Sequence, residues 1–370
     1  MNKTIFKTYS IYFITMLTFV LVRIASSLGW FDVFENALLR NGVSTFIIQI
    51  LIMFVLPFVL IMWFFKKKPK QIFTDFHFKK ISFKCVILCI AIGILMFVLN
   101  VAVSTTFNTI IRMFGYSPSG SSGSGGYTSV GSFLLGVLFI AVLPAFCEEF
   151  LHRGLIMRNV GKQTNYKVAI IVSSVLFGLM HLNIEQVFYA TILGIVIGFI
   201  GSASDSIYPC MILHFVNNFI SVYLSFAQNN NLPFGDFYSR ITNLFTNNSP
   251  VFAMIFVLGV LILVLILMIY LIFLLFKETR LKTMAQSIYT IQEEVVSGEM
   301  TEQSIQKVKD DFSKFILPHL ENKKDEDIIN VFLPPATSKF KFNLLENIFL
   351  ISTLVIGVLV TIFTFIWGVF

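Results

Sequence analysis

Charged residues are scarce in this sequence. Asp, Glu, Lys and Arg make up 13% of its 370 residues, whereas 56% are hydrophobic and 43 are Phe. Because soluble domains carry about 25% charged residues, this composition excludes a soluble protein and indicates an integral membrane protein. The net charge of +7 comes from short Lys and Arg clusters between apolar runs. No soluble basic face remains to bind nucleic acid, so the expected partner is the lipid bilayer.

Several catalytic and metal-binding motifs are also missing. The pattern HExxH does not occur, which excludes the zincin class of metalloproteases. None of the four cysteines has the C-x-x-C spacing of a structural zinc site, and all lie in or beside apolar runs. We interpret them as small buried hydrophobic residues: Cys85, Cys89, Cys147 and Cys210.

Long apolar runs dominate what the sequence does contain. A membrane-spanning helix needs about 20 apolar residues, and nine runs approach that length. They lie near residues 10–29, 43–65, 81–111, 131–157, 166–182, 186–202, 207–227, 251–276 and 344–369. We therefore predict an all-α, polytopic membrane protein with eight or nine transmembrane helices. The fifth and sixth runs are short and close together, so a re-entrant or broken arrangement is an alternative there.

The positions of the basic clusters predict the orientation in the membrane. Lys and Arg are concentrated at 66–84, at 158–167 and at 277–282. Cytoplasmic loops carry an excess of these residues, and the three clusters alternate correctly with nine spans if the N-terminus is cytoplasmic. We expect a multi-pass protein of the cell membrane with that orientation.

Two adjacent acidic residues stand inside the fourth apolar run. Ionisable side chains at bilayer depth cost about 2.5 kcal/mol or more, so they are rare and usually functional. In the stretch PAFCEEFLHRGLIMR, Glu149 and Arg153 are four residues apart, the favoured order for an ion pair on a helix. Glu148 points in a different direction, toward another helix. The sequence thus predicts one neutralised acid, Glu149, and one acid, Glu148, that needs another partner.

Two histidines in later apolar runs can supply that partner. His181 closes FGLMH, four residues after Phe177, and His214 opens HFVNN, four residues before Asn218. A lone histidine on an apolar helix is usually a hydrogen-bonded core residue. Counted from the cytoplasmic charge clusters at about 1.5 Å per residue, Glu148 and both histidines reach the middle of the membrane. They can therefore form a single site.

These three segments resemble the EExxxR, FxxxH and HxxxN motifs of the CPBP family, the CAAX-protease and bacteriocin-processing (Abi) intramembrane proteases. The resemblance covers about 130–225, where Gly194 and Gly198 also resemble the family's close-packed helix. It implies a multi-spanning helical endopeptidase with a cavity inside the membrane, open to the cytoplasmic side. Peptides or membrane-protein segments are the implied substrates.

The same resemblance implies the roles of the site residues. Glu148, His181, His214 and Asn218 correspond to catalytic positions, and Glu149 and Arg153 to supporting ones. In a glutamate mechanism, Glu148 activates a water oriented by His181, while His214 and Asn218 donate hydrogen bonds to the oxyanion.

In a metal mechanism, Glu148, His181 and His214 bind Zn²⁺. The glutamate mechanism, with no cofactor, is favoured because Glu149 is committed to Arg153 and leaves no base for a metal-bound water.

The chain divides into five predicted segments. They are the N-terminal transmembrane helices at 1–130, a catalytic CPBP/Abi-type helical core at 131–227, an outer loop and helix at 228–276, a polar cytoplasmic insert at 277–342 and a last transmembrane helix at 343–370. The insert contains 11 of the 20 acidic residues and no catalytic motif.

Two other functions are compatible with such a chain. A non-catalytic bacteriocin-immunity or scaffold protein can have the same fold, and a transporter can relay protons through buried acids. The intact catalytic positions disfavour the first, and the absence of an internal repeat disfavours the second. The sequence specifies no oligomeric state.

Overall fold

A computed structural model describes residues 2–34, 37–117, 127–246, 250–297 and 343–369. All regular secondary structure in these ranges is helical, which confirms the prediction of an all-α, polytopic membrane protein. The Gly/Ser-rich stretch at 117–126 lies outside the described residues except for Ser117, and so does the part of the polar insert from 298 to 342. The first part of that insert continues a long helix that ends at Ser297.

Six α-helices and one π-helical segment make up the first part of the fold. They are α1 (Lys3–Ser27), α2 (Ala37–Phe46), π1 (Ile47–Val55), α3 (Leu56–Phe65), α4 (Pro69–Asp75), α5 (Phe83–Met113) and α6 (Val130–Gly136). The central part contains π2 (Val137–Val142), α7 (Leu143–Glu149), π3 (Phe150–Met157), α8 (Arg158–Gln163), α9 (Tyr166–Leu179), α10 (Ile184–Ser204) and α11 (Tyr208–Asn229). The last part contains α12 (Phe237–Thr246), α13 (Pro250–Ser297) and α14 (Leu344–Val369).

Eight stretches in the described ranges are long and apolar enough to cross a membrane. They are Lys3–Ser27, Arg40–Phe65, Phe83–Met113, Val130–Gln163, Ile184–Ser204, Tyr208–Asn229, Ile255–Thr279 and Leu344–Trp367. The fifth predicted run forms α9, which has only 14 residues and ends at Leu179. The sixth forms α10, a full 21-residue helix. The described structure thus has eight spans and one shorter apolar helix.

Several ion pairs lie at one end of the bundle, which we call the basic end. Here Asp205, in the turn between α10 and α11, lies 2.5 Å from Lys79 Nζ, 2.6 Å from His77 Nδ1 and 3.3 Å from Arg158 Nη1. Lys67 pairs with Asp75 at 2.6 Å at the same end. Because Asp205 is far in sequence from its three partners, its contacts tie together the ends of several spans.

Helix α9 is packed tightly between α10 and π3, and small residues permit this. A Cβ added to Gly194 on α10 would lie 3.0 Å from Ser174 Cβ and 3.1 Å from its Cα on α9. A Cβ added to Gly198 would lie 3.2 Å from Ile170 Cγ2. The close packing predicted for the helix that carries Gly194 and Gly198, α10, is therefore confirmed. It fixes the distance between the helices that carry the polar side chains.

Candidate active site

The span that carries Glu148 and Glu149, Val130–Gln163, is called the acidic helix here. It is irregular on both sides of its two glutamates. The π-helical segments π2 and π3 flank the single α-helical stretch α7, and Pro144 stands at its start. Proline has no N–H, so the α-helical bond from residue 144 to Ile140 O cannot form. Asn218 Nδ2, on α11, donates to that oxygen at 2.9 Å. Asn218 thus compensates for the irregularity that Pro144 introduces.

Glu149 is fully buried and neutralised by two neighbours. Its Oε1 accepts from Arg153 Nη1 at 2.9 Å and lies 2.9 Å from His214 Nδ1. Arg153 Nη2 also donates to Gly194 O at 3.0 Å, which connects the pair to α10. The predicted ion pair between Glu149 and Arg153 is present, and His214 is an additional partner that the spacing did not indicate.

Glu148 faces the other way and is the accessible carboxylate. Its side chain is 13% exposed, its Oε1 accepts from Gln49 Nε2 at 2.8 Å, and its Oε2 is 4.0 Å from His214 Nε2. The prediction that Glu148 meets another helix is confirmed twice, because Gln49 belongs to π1 and His214 to α11. One carboxylate is therefore structural and the other is available for chemistry.

Hydrogen bonds to the histidines indicate how their rings are protonated. His181 Nδ1 lies 2.9 Å from Phe177 O, an oxygen that can only accept, so this nitrogen carries the proton. His214 Nδ1 lies against the Glu149 carboxylate, so it also carries a proton. The Nε2 atoms of both rings remain for substrate, water or a second proton.

His181 occupies a turn rather than a helix. Helix α9 ends at Leu179, and Leu182 has a positive φ of 52°. The predicted single helix over FGLMH therefore ends two residues early. The hydrogen bond to Phe177 O satisfies one of the terminal carbonyls of α9, as basic side chains commonly do at helix ends.

His152 has a structural environment. It is fully buried, its Nδ1 lies 2.7 Å from Glu148 O, and its Nε2 lies 3.0 Å from Tyr12 Oη on α1. These contacts use both ring nitrogens and join α1 to the acidic helix. His152 is therefore a bridging residue of the core and does not compete for the Glu148 carboxylate.

A cavity of about 330 Å³ contains all four predicted catalytic side chains. Glu148, His181, His214 and Asn218 line it, although they come from the acidic helix, the turn after α9, and α11. Glu149 and Arg153 lie behind its wall, 0% and 1% exposed. The cavity volume is within the range of small-molecule and peptide side-chain sites. The structure brings these four side chains together in one cavity.

Sequence reasoning missed several polar residues at this site. Gln49 binds Glu148, and Asn100 Nδ2 donates to Asn217 Oδ1 at 3.2 Å, while Asn217 Nδ2 donates to Asn218 Oδ1 at 3.1 Å. A signal for Gln49 existed, since it is the only polar residue in IIQILIMFV. A polar side chain at bilayer depth needs a partner, and the rule that identified Glu148 applies equally to Gln49.

The donors of the cavity include types that zinc prefers, one carboxylate and two imidazoles. Within the described parts of the chain, however, no three His, Cys, Asp or Glu side chains are arranged closely enough to hold one metal ion. We therefore derive no catalytic step through a metal.

Residues 130–220 match the family described as Rce1-like, type II CAAX prenyl endopeptidase Rce1-like. This range contains Glu148, His181, His214 and Asn218, the same four side chains that line the cavity. No curated protein and no solved structure matches the chain. The family match and the geometry therefore point to the same segment independently.

Proposed function

We propose that this chain is an intramembrane protease of the CPBP family that hydrolyses peptide bonds with a water activated by Glu148. The match of residues 130–220 to the Rce1-like family supports this proposal. The observation that carries the proposal is the separation of the two acids. Glu149 is buried and neutralised, whereas Glu148 faces the cavity beside both histidines. One acid is thus free to act as a general base.

In the proposed reaction, water lies between Glu148 and His181. Glu148 takes a proton from this water, the oxygen attacks the peptide carbonyl carbon, and the carbonyl oxygen becomes the oxyanion. The proton on Glu148 then passes to the leaving amine as the C–N bond breaks. A positioned general base of this kind contributes about 10² to 10⁴ in rate.

Two donors are available for the oxyanion. The amide of Asn218 uses one N–H for Ile140 O and has a second N–H for the substrate. The second donor is His214, which donates from Nε2 in the form of the ring that carries a proton on both nitrogens. One oxyanion donor contributes about 10² to 10³ in rate.

The proposal includes location and orientation. The eight apolar spans make this a multi-pass membrane protein. The basic end carries the Lys and Arg residues that the positive-inside rule assigns to the cytoplasm, and α1 begins there, with Asn2 bonded to Gln163. We propose a cytoplasmic N-terminus in the cell membrane.

The decisive experiment is hydrolysis of a quenched fluorescent peptide by the purified protein. Glu148→Ala and His181→Ala are expected to lose at least about 10² in rate, because each removes a group that acts on the water. Glu185→Gln is a matched control, since Glu185 stands at the start of α10 and does not line the cavity. Full activity of Glu148→Ala would contradict the proposal.

The same assay separates the two mechanisms. With Glu148 as the base, exhaustive treatment with a strong chelator leaves the rate unchanged. Loss of activity that Zn²⁺ restores would instead support metal binding by Glu148, His181 and His214. A protein that cleaves no peptide in a broad library, although folded, would favour the non-catalytic scaffold.

A further inference from the structure

The cavity is not centred in the bundle. We infer that the substrate reaches Glu148 from the end of the bundle opposite the basic end, so that it is a peptide segment presented on that side of the membrane. This inference rests on the proposed peptidase function. It differs from the expectation, implied by the family resemblance, of a cavity open to the cytoplasmic side.

Depth along the helices is the first observation. Helix α11 starts at Tyr208 at the basic end, and at about 1.5 Å per residue its cavity residues His214 and Ser221 lie about 9 and 20 Å from that start. Helix α10 ends at Ser204 at the same end, and its cavity residue Gln186 lies about 27 Å away. Both residues, Gln186 and Ser221, line the cavity. The cavity therefore extends away from the basic end.

The packing on the basic side of the site is the second observation. On the acidic helix, the side chains that follow Glu148 toward the basic end include Phe150 and Met157, both 0% exposed, and Arg153 at 1%. On α11, those that precede His214 include Cys210 and Leu213, both 0% exposed. Side chains packed to this extent obstruct a peptide chain on that side.

A buried arginine makes further contacts between helices nearer the basic end. Arg158 is 1% exposed, and its guanidinium donates to Gly201 O at 2.9 Å and to Asp205 Oδ1 at 3.3 Å. These bonds join α8 to the end of α10 and the turn that follows. A substrate entering from this side would have to break the hydrogen bonds of Arg158 and separate the buried side chains described above.

The opposite side of the cavity is more accessible. Gln186, Asn218 and Ser221 are partly exposed, and Ile140, which also lines the cavity, is 45% exposed. Gln186 is two residues from the start of α10, where Ile184 N bonds Thr364 Oγ1 near the far end of α14. These accessible residues of the cavity lining thus lie in the half of the bundle away from the basic end.

Accessibility of introduced cysteines tests the inference without any need for hydrolysis. The four native cysteines are buried, so their background reaction with a charged, membrane-impermeant thiol reagent is low. Gln186→Cys and Ser221→Cys report on the cavity. Gln228→Cys, exposed at the end of α11 far from the basic end, and Lys80→Cys, exposed at the basic end, calibrate the two sides.

In intact cells, where the reagent reaches only the outer side, we expect Gln186→Cys and Ser221→Cys to react to the same extent as Gln228→Cys. Lys80→Cys should react only in inverted membrane vesicles, where the reagent reaches the other side. Reaction of the cavity cysteines only from the Lys80 side, or from neither side, would overturn the inference.

Folding of each variant is checked by size-exclusion chromatography, and the two cavity positions serve as independent reporters. A protein that hydrolyses peptides but is labelled from the Lys80 side refutes this inference alone. A protein that is labelled as expected but hydrolyses nothing refutes the proposed function alone.

Discussion

Replacing Gln49 by Met removes one hydrogen bond to Glu148 and keeps nearly the same side-chain length. Gln49 Nε2 donates to Glu148 Oε1 at 2.8 Å, and the other carboxylate oxygen lies 4.0 Å from His214 Nε2. Gln49 is therefore the residue that fixes the direction of the Glu148 carboxylate. We classify it as a positioning residue, because it does not line the cavity.

The magnitude of the effect follows from the type of bond. A hydrogen bond to a charged group contributes about 1.5–3 kcal/mol. If the whole of this contribution is lost in the transition state, the rate falls about 10- to 150-fold, since each 1.4 kcal/mol corresponds to about a factor of ten. We expect kcat to change more than KM, because Gln49 acts on the base and not on the substrate.

Stability should change little in the same variant. Gln49 Oε1 is buried and has no hydrogen-bond partner among the described residues, so the amide also carries an unfavourable desolvation cost of about 1–3 kcal/mol. Met removes that cost together with the favourable bond. A thermal unfolding curve close to that of the wild type, with reduced kcat, would therefore separate positioning from folding.

A double-mutant cycle provides the control. In the Glu148→Gln background, Gln49→Met should cause no further loss of rate, because the group that it positions is already inactive. Wild-type kcat in the single Gln49→Met variant would refute the reasoning, and so would fully additive losses in the double variant.

Three further predictions concern other parts of the molecule. Burial alone would raise the pKa of Asp205, but the nearby His77 and Arg158 outweigh it and hold that pKa below the usual range. The ionised carboxylate therefore stabilises the fold at neutral pH, and the loss of stability in Asp205→Asn should shrink as the pH falls below about 4 in thermal unfolding experiments. Asn218→Leu should destabilise the protein by about 1–3 kcal/mol by leaving Ile140 O without its donor, and Pro144→Ala should restore stability but not peptidase activity. Since no Lys or Arg among the described residues lines the cavity, peptides with free and amidated C-termini should be hydrolysed at the same rate; a strong preference for the free carboxylate would contradict this.

The sequence predicted the fold well because membrane-spanning helices are long, strongly apolar runs that can be recognised from composition. Eight of the nine apolar runs become full spans, and only 166–182 is shorter, because its helix ends at Leu179. The Glu149–Arg153 ion pair was also predictable, since it depends on a spacing of four residues within one helix. Local geometry and the hydrophobic effect determine both features.

Other features of the site depend on contacts between distant segments. Gln49 and Glu148 are 99 residues apart, and no local pattern connects them. The second partner of Glu149, His214, depends on how α11 is rotated against the acidic helix. Single-sequence reasoning identifies such polar residues but not their partners.

The aromatic ring of Phe177 contacts several polar side chains of the site. Its ring is approached nearly at right angles by the imidazoles of His152, His181 and His214, with centroid distances of 5.2, 5.2 and 5.5 Å. The Arg153 guanidinium carbon lies 4.7 Å from the ring centroid. One benzene ring therefore acts as the spacer that sets how far apart three titratable rings stand. An aliphatic residue of similar volume would fill the space but offer no flat face, so the alignment of the polar groups depends on an apolar side chain.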